Sequence, residues 1–187
     1  RYPMENFIGV WWSGSENDVL PAGDKATGYK ALAFHAVNSD FPIFDDIQKF
    51  VVDRGKAAGA GDQIGTVLYN RGMYNAMLIT EAARTAQAIA GKSNISQADM
   101  IKGFEALEMT EEKMAALGLP GFGPSFSVSC ENHGGDGMVA VAQWDAGAGK
   151  WSIVSDFQAS DMSVIQPLID ADSGAFASEN NLSPNCN

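Results

Sequence analysis

A mixed α/β fold is what this sequence predicts, and three observations about order predict it. An apolar run with β-branched and aromatic members, Phe7-Ile8-Gly9-Val10-Trp11-Trp12, stands near the start and reads as a buried strand. Segments with apolar residues at helical spacing follow it. After residue 125 the pattern turns to alternation, with Asp145-Ala146-Gly147-Ala148-Gly149-Lys150 as a hairpin loop between two alternating runs.

Ser13-Gly14-Ser15 ends the opening strand, and Pro21-Ala22-Gly23 carries a turn. Asp24 can cap a helix over 24–38 with Tyr29, Leu32, Ala33, His35 and Ala36 in it. Pro42 opens a second helix that ends near Gly55, its apolar positions being Phe44, Ile47, Phe50 and Val51. Residues 56–62, rich in Gly and Ala, read as a loop, and 64–69 as extended. The clearest helix covers 72–90. Ser96 caps another that runs through Met100, Ile101, Phe104 and Leu107, with Asp99 at its positive end. A shorter helix over 111–117 stops at Gly118 and Pro120. Strands are expected within 126–130, 138–144 and 151–155, and a last helix from Asp161 carries Val164, Ile165, Leu168 and Ile169. The middle helices bear apolar stripes, yet few strands exist to cover them.

Of 187 residues, 45 % are apolar and 19 % charged, a balance that supports a packed core. No apolar run approaches the roughly 18–20 residues that cross a bilayer. The net charge of −11, from 23 acids and 12 bases, argues against nucleic acid or an anionic membrane as partner, since no Lys/Arg cluster is present. Arg1-Tyr2-Pro3-Met4 is neither a signal peptide nor an initiator start, so the expectation is a processed chain or a fragment. Two cysteines, Cys130 and Cys186, are too few and too distant in sequence for a zinc motif. A disulfide would anchor the tail and imply an oxidising compartment, the alternative being two unrelated thiols.

Catalysis needs a positioned nucleophile, base or metal, and the chain offers little. His35 reads as structural or exposed. His133, in Glu131-Asn132-His133-Gly134-Gly135, is presented by a polar loop; holding backbone groups is its ordinary role, a general base its alternative. Gly118-Leu119-Pro120-Gly121-Phe122-Gly123-Pro124 lacks the Lys-Ser/Thr of a phosphate loop and reads as a linker between two lobes. No catalytic residue, metal or cofactor is expected. Two clusters stand out. Trp11, Trp12 and Ser13 lie where a strand leaves the core, the end at which open α/β sheets bind ligands. Tyr69, Asn70 and Arg71 lie at a helix entry and offer aromatic faces and a guanidinium able to grip a carboxylate. Core packing is the competing role for the aromatics, and an ion pair with an acid such as Glu81 for Arg71.

With those residues in view, the chain resembles the type I periplasmic solute-binding proteins of the branched-chain amino acid transporter class. The likeness runs through Trp12-Ser13-Gly14-Ser15-Glu16-Asn17-Asp18-Val19-Leu20-Pro21-Ala22-Gly23 and Ala26-Thr27-Gly28-Tyr29. It continues in Val67-Leu68-Tyr69-Asn70-Arg71-Gly72, Glu81-Ala82-Ala83-Arg84-Thr85-Ala86-Gln87 and Ser129-Cys130-Glu131-Asn132-His133-Gly134, then Gln143-Trp144-Asp145, Lys150-Trp151 and Cys186. The resemblance implies two Rossmann-like lobes joined by three crossovers, of which this chain is the C-terminal half. Residues 1–13 and 124–187 would belong to the second lobe, 18–117 would pack on the first, and 118–123 would be a crossover. It implies a periplasmic, non-catalytic protein that closes on an amino acid, amide or other small carboxylate and delivers it to ABC permease subunits. The N-terminal half of the same protein would be its partner. Trp11, Trp12, Ser13, Tyr69, Asn70 and Arg71 take the positions of ligand contacts. Arg71 departs from the aromatic or aliphatic residue usual there. The alternatives are a ligand-sensing domain of the same fold and, more weakly, a hydrolase built on His133.

Overall fold

Segment 24–38 is where the chain departs furthest from its helical pattern. The computed structural model describes residues 2–59, 61–183 and Cys186. In it, 3-10 turns over Leu20–Ala26 lead through Gly28, at φ 89°, into strand β2, Lys30–Ala33. Alternate residues of β2 are buried, and Ala31 and Ala33 stand opposite Ala142 and Ala140 of β5, Ala140–Asp145. Methyl-sized side chains on both strands let this part of the sheet seat against the core. That tertiary gain overrides the helix preference of Ala and Leu.

The main sheet has the order β1-β2-β5-β6. β1, Ile8–Gly9, runs parallel to β2, whereas β5 and β6, Lys150–Ile153, are antiparallel neighbours. The opening strand is shorter than its apolar run suggests. Trp11–Ser13 turns as a 3-10 helix and takes both indoles out of the sheet. The hairpin from β5 to β6 forms where its turn residues predict it. Trp144 and Trp151 face each other across it with centroids 5.6 Å apart, both buried.

α1, Glu16–Val19, follows the tryptophan turn, and Ser15 donates through N and Oγ to the Asp18 carboxylate. α2, Pro42–Ile47, winds on as a π-turn over Gln48–Val52; the wider turn leaves Phe50 and Val51 exposed rather than on an apolar face. α3, Val67–Ala90, starts five residues before the expected helix and takes in much of the segment expected to be extended. Thr66 caps it by accepting from the Tyr69 amide, and the Glu16 carboxylate accepts from the Val67 amide at 3.2 Å. Gly91, at φ 63°, ends it. α4, Gln97–Glu105, carries the expected Ser96–Asp99 capping box; hydrogen bonds from Ser96 and the Lys92 ammonium hold the Asp99 carboxyl well below the usual carboxylate range. β3, Glu108–Met109, pairs antiparallel with β4, Phe126–Ser127, and α5, Glu111–Ala116, lies between them in sequence.

Two apolar cores result. One surrounds the main sheet with Val19, Ala31, Ala142, Trp144 and Trp151. The other gathers Phe41, Phe44, Met77, Met109, Met114 and Phe122 among the helices. The stretch 118–124 is no loose linker, because Leu119 and Phe122 are buried in the second core. The Ala36 amide donates to the Phe122 carbonyl at 2.7 Å, so 35–37 and 122–124 run side by side between the cores. His35 sits there, 1 % exposed, stacked on Phe122 with centroids 5.9 Å apart. α6, Met162–Glu179, is different: none of its residues is buried. Beyond it, Cys186 is joined to Cys130 by a disulfide, the pairing expected from the sequence.

Candidate functional site

Three consecutive helical residues point three ways, about 100° apart. Tyr69, Asn70 and Arg71 occupy the first turns of α3. Tyr69 packs against Phe44 in the second core, centroids 5.8 Å apart, and burial raises its phenol pKa. Asn70 is wholly buried, and its amide donates to the carbonyls of Ala36 and Asn38 at 3.0 and 2.8 Å. It clamps the strand-to-helix passage rather than facing the tryptophans. Arg71 alone turns toward them.

Arg71 Nη2 donates to the Trp11 carbonyl at 2.8 Å. Its guanidinium carbon lies 5.8 Å from the Trp12 ring centroid and 5.6 Å from that of Phe34, both within cation–π reach. Phe34 in turn meets Trp11 edge-on at 6.3 Å. No carboxylate of the described residues is within ion-pair distance of Arg71, and Glu81 pairs with Arg84 instead. Burial lowers the Arg71 pKa, and Asp18 partly opposes this. Trp12 remains 73 % exposed, an aromatic face offered to solvent. Ser13 turns inward: its hydroxyl donates to the Val10 carbonyl and accepts from the Tyr29 hydroxyl, each at 3.0 Å. Glu16, the carboxylate of the same motif, is engaged at the start of α3. That contact ties the tryptophan turn to the helix bearing Arg71.

Phe34 is also one wall of a cavity of about 260 Å³, with Tyr74, Leu78, Phe126, His133 and Gly134 among its lining residues. Burial pushes the Tyr74 phenol up to about 12, so it stays protonated as a donor, and it makes no hydrogen bond to the described residues. Its ring meets Phe34 edge-on at 5.5 Å. Tyr74 closes the run Tyr69-Asn70-Arg71-Gly72-Met73-Tyr74 that the sequence singles out; it lies three residues after Arg71 and shares its helix face, whereas nothing in the sequence points to Phe34. Phe34 was hidden by reading β2 as a helix. His133 lies 3.5 Å from Glu105, and no serine hydroxyl of the described residues bonds to it. A larger groove of about 600 Å³ lies between 36–41 and 150–153 and holds none of the expected site residues.

A mixed α/β fold with a guanidinium set among aromatic rings beside a small cavity is the class the geometry defines. Two solved structures similar to this chain are described as ABC-transporter proteins. One, described as an abc transporter permease from pseudomonas fluorescens group, is 36 % identical with a TM-score of 0.89, over 99 % of this chain and 45 % of that one. Another, a branched chain amino acid ABC transporter from Thermus thermophilus with bound valine, is 20 % identical with a TM-score of 0.58, over 83 % of this chain and 39 % of that one. This chain therefore spans less than half the length of either. No family model and no curated protein matches it. Among the described residues, no helix is long and apolar enough to cross a membrane.

Proposed function

We propose that the chain is the C-terminal part of an exported solute-binding protein, which closes two lobes on a small molecule and delivers it to the permease of an ABC importer. The observation that carries this reading is Arg71. Its guanidinium is anchored by one backbone carbonyl, flanked by Trp12 and Phe34, and left without an acidic partner among the described residues. A guanidinium so placed suits a solute carboxylate or amide oxygen, with the rings covering its apolar part. An amino acid, an amide or another small carboxylate fits that description. The fold shared with a valine-bound transporter component supports the same class.

In this reading β1, β2, β5 and β6, which share one sheet, belong to the second lobe, so the part proposed to pack on the first lobe would begin after Ala33. The disulfide suits an extracytoplasmic home. More than half of the first neighbour's chain lies outside the match, and an equivalent segment would supply the other side of the cleft. A calorimetric screen of small carboxylates, amides and amino acids against the full-length protein tests the proposal. At least one compound class should bind without turnover, and Arg71→Met should weaken it on the order of 10-fold or more while the fold is kept. Binding unchanged in Arg71→Met would remove Arg71 from the site. No binding, or conversion of the compound, would overturn the function.

A further inference from the structure

Residues from three separate parts of the sequence meet at a corner beside the second core. Glu105 is the last residue of α4, and Cys130 and His133 lie in the loop after β4. A carboxylate oxygen of Glu105, the sulfur of Cys130 and an imidazole nitrogen of His133 all lie within 4.8 Å of one another. Cys186 is covalently joined to Cys130, so its sulfur is held at the same place. Cys130 and His133 form a local Cys-x-x-His pair, and the fold brings Glu105 and Cys186 to it.

While the disulfide is closed, neither sulfur can act as a thiolate, and the corner offers only a carboxylate and an imidazole. Opening the disulfide changes the donor chemistry without requiring the loop to travel far. We propose that reduction of Cys130–Cys186 creates a zinc site whose ligands are Cys130, Cys186, His133 and Glu105. A dithiol supplies the two electrons: its two S–H bonds break, its sulfurs join as a cyclic disulfide, and the protein's S–S bond becomes two thiols. Zinc then displaces the two thiol protons to solvent and takes two thiolates, the neutral imidazole and the ionised carboxylate in a closed four-coordinate set. Access is open, because the side chains of His133 and Glu105 are 69 % and 28 % exposed. The corner is thus a disulfide under oxidising conditions and a metal clip under reducing ones. Arg71 has no part in it, so the solute-binding reading and this one stand or fall separately.

The test is competition for zinc against a chromophoric chelator, with the full chain either oxidised or reduced by a phosphine. A single zinc per reduced chain should bind on the order of 100-fold more tightly than to the oxidised chain. Glu105→Gln and His133→Ala should each weaken the reduced chain's affinity on the order of 10-fold. Cobalt in place of zinc should give thiolate charge-transfer absorption with tetrahedral d–d bands only after reduction. Circular dichroism follows the fold in each state. Equal affinity in the two redox states would overturn the proposal. So would wild-type affinity in both variants, folded or not, because the zinc would then be held by two unconstrained thiols.

Discussion

His35 shows how much a single side chain can carry between two cores. It is 1 % exposed, its Nδ1 lies 2.9 Å from the Ala36 carbonyl, and it stacks on Phe122. Burial lowers its pKa from 6.5 to about 4, the Ala36 carbonyl opposes the shift, and Arg71 adds to it. The folded state therefore prefers the neutral ring, and the unfolded chain takes up the proton first as pH falls. Stability from this residue is whole above pH 6.5 and is lost as pH falls toward 4. Between pH 7 and pH 5 the loss is roughly 2 kcal/mol. Urea unfolding at those two pH values should show it in the wild type and not in His35→Phe; an equal drop in both would assign it to other groups. At this scale the sequence was legible in part. Trp11, Trp12 and Arg71 lie together, whereas Tyr69 and Asn70 diverge from Arg71, because adjacent residues on a helix cannot share a face.

Between elements, the pairing of α3 with α4 depends on one missing side chain. A Cβ at Gly103 would lie 2.2 Å from the Ala82 carbonyl oxygen and 2.7 Å from the Ala86 methyl. Ala82 and Ala86 are wholly buried, so neither backbone nor methyl has room to retreat. Gly103→Ala should cost about 1–3 kcal/mol even though alanine is the better helix former. Thermal unfolding would read this as a lower Tm, and an unchanged or higher Tm would mean the helices can slide apart. Helix existence was plain in the sequence for α3, α4 and α5, because their caps and apolar spacing agree. The start of α3 was less plain: a polar Asn70 and Arg71 mask its first turns, where each serves a distant loop. β2 was illegible for another reason. Lys-Ala-Leu-Ala has no local strand preference, and its partners on either side, β1 and the far more distant β5, make it one.

For the whole molecule, burial is uneven. Both cores are well filled, yet α6 presents Val164, Leu168, Ile169 and Phe176 to solvent, and β1 presents Ile8 beside Phe7 and Val10. An 18-residue helix with no buried residue, and only Ile165 and Ala177 half-buried, gains little from packing within this chain. In the proposed whole protein the preceding half would cover such faces, whereas the apolar stripes of the middle helices already cover one another in the second core. Without that half, the same faces are available to another copy of the chain. The isolated chain should therefore self-associate, with a sedimentation coefficient that rises with concentration. The double substitution Leu168→Glu with Phe176→Glu should shift it toward monomer. Because these side chains are 63 % and 61 % exposed, the variant's Tm should stay within a few degrees of the wild type. Association that persists in the variant would move the sticky surface to the β1 edge. A wild-type chain that stays monomeric at every concentration would mean that α6 needs no cover, and the inference of a covering half would fail with it.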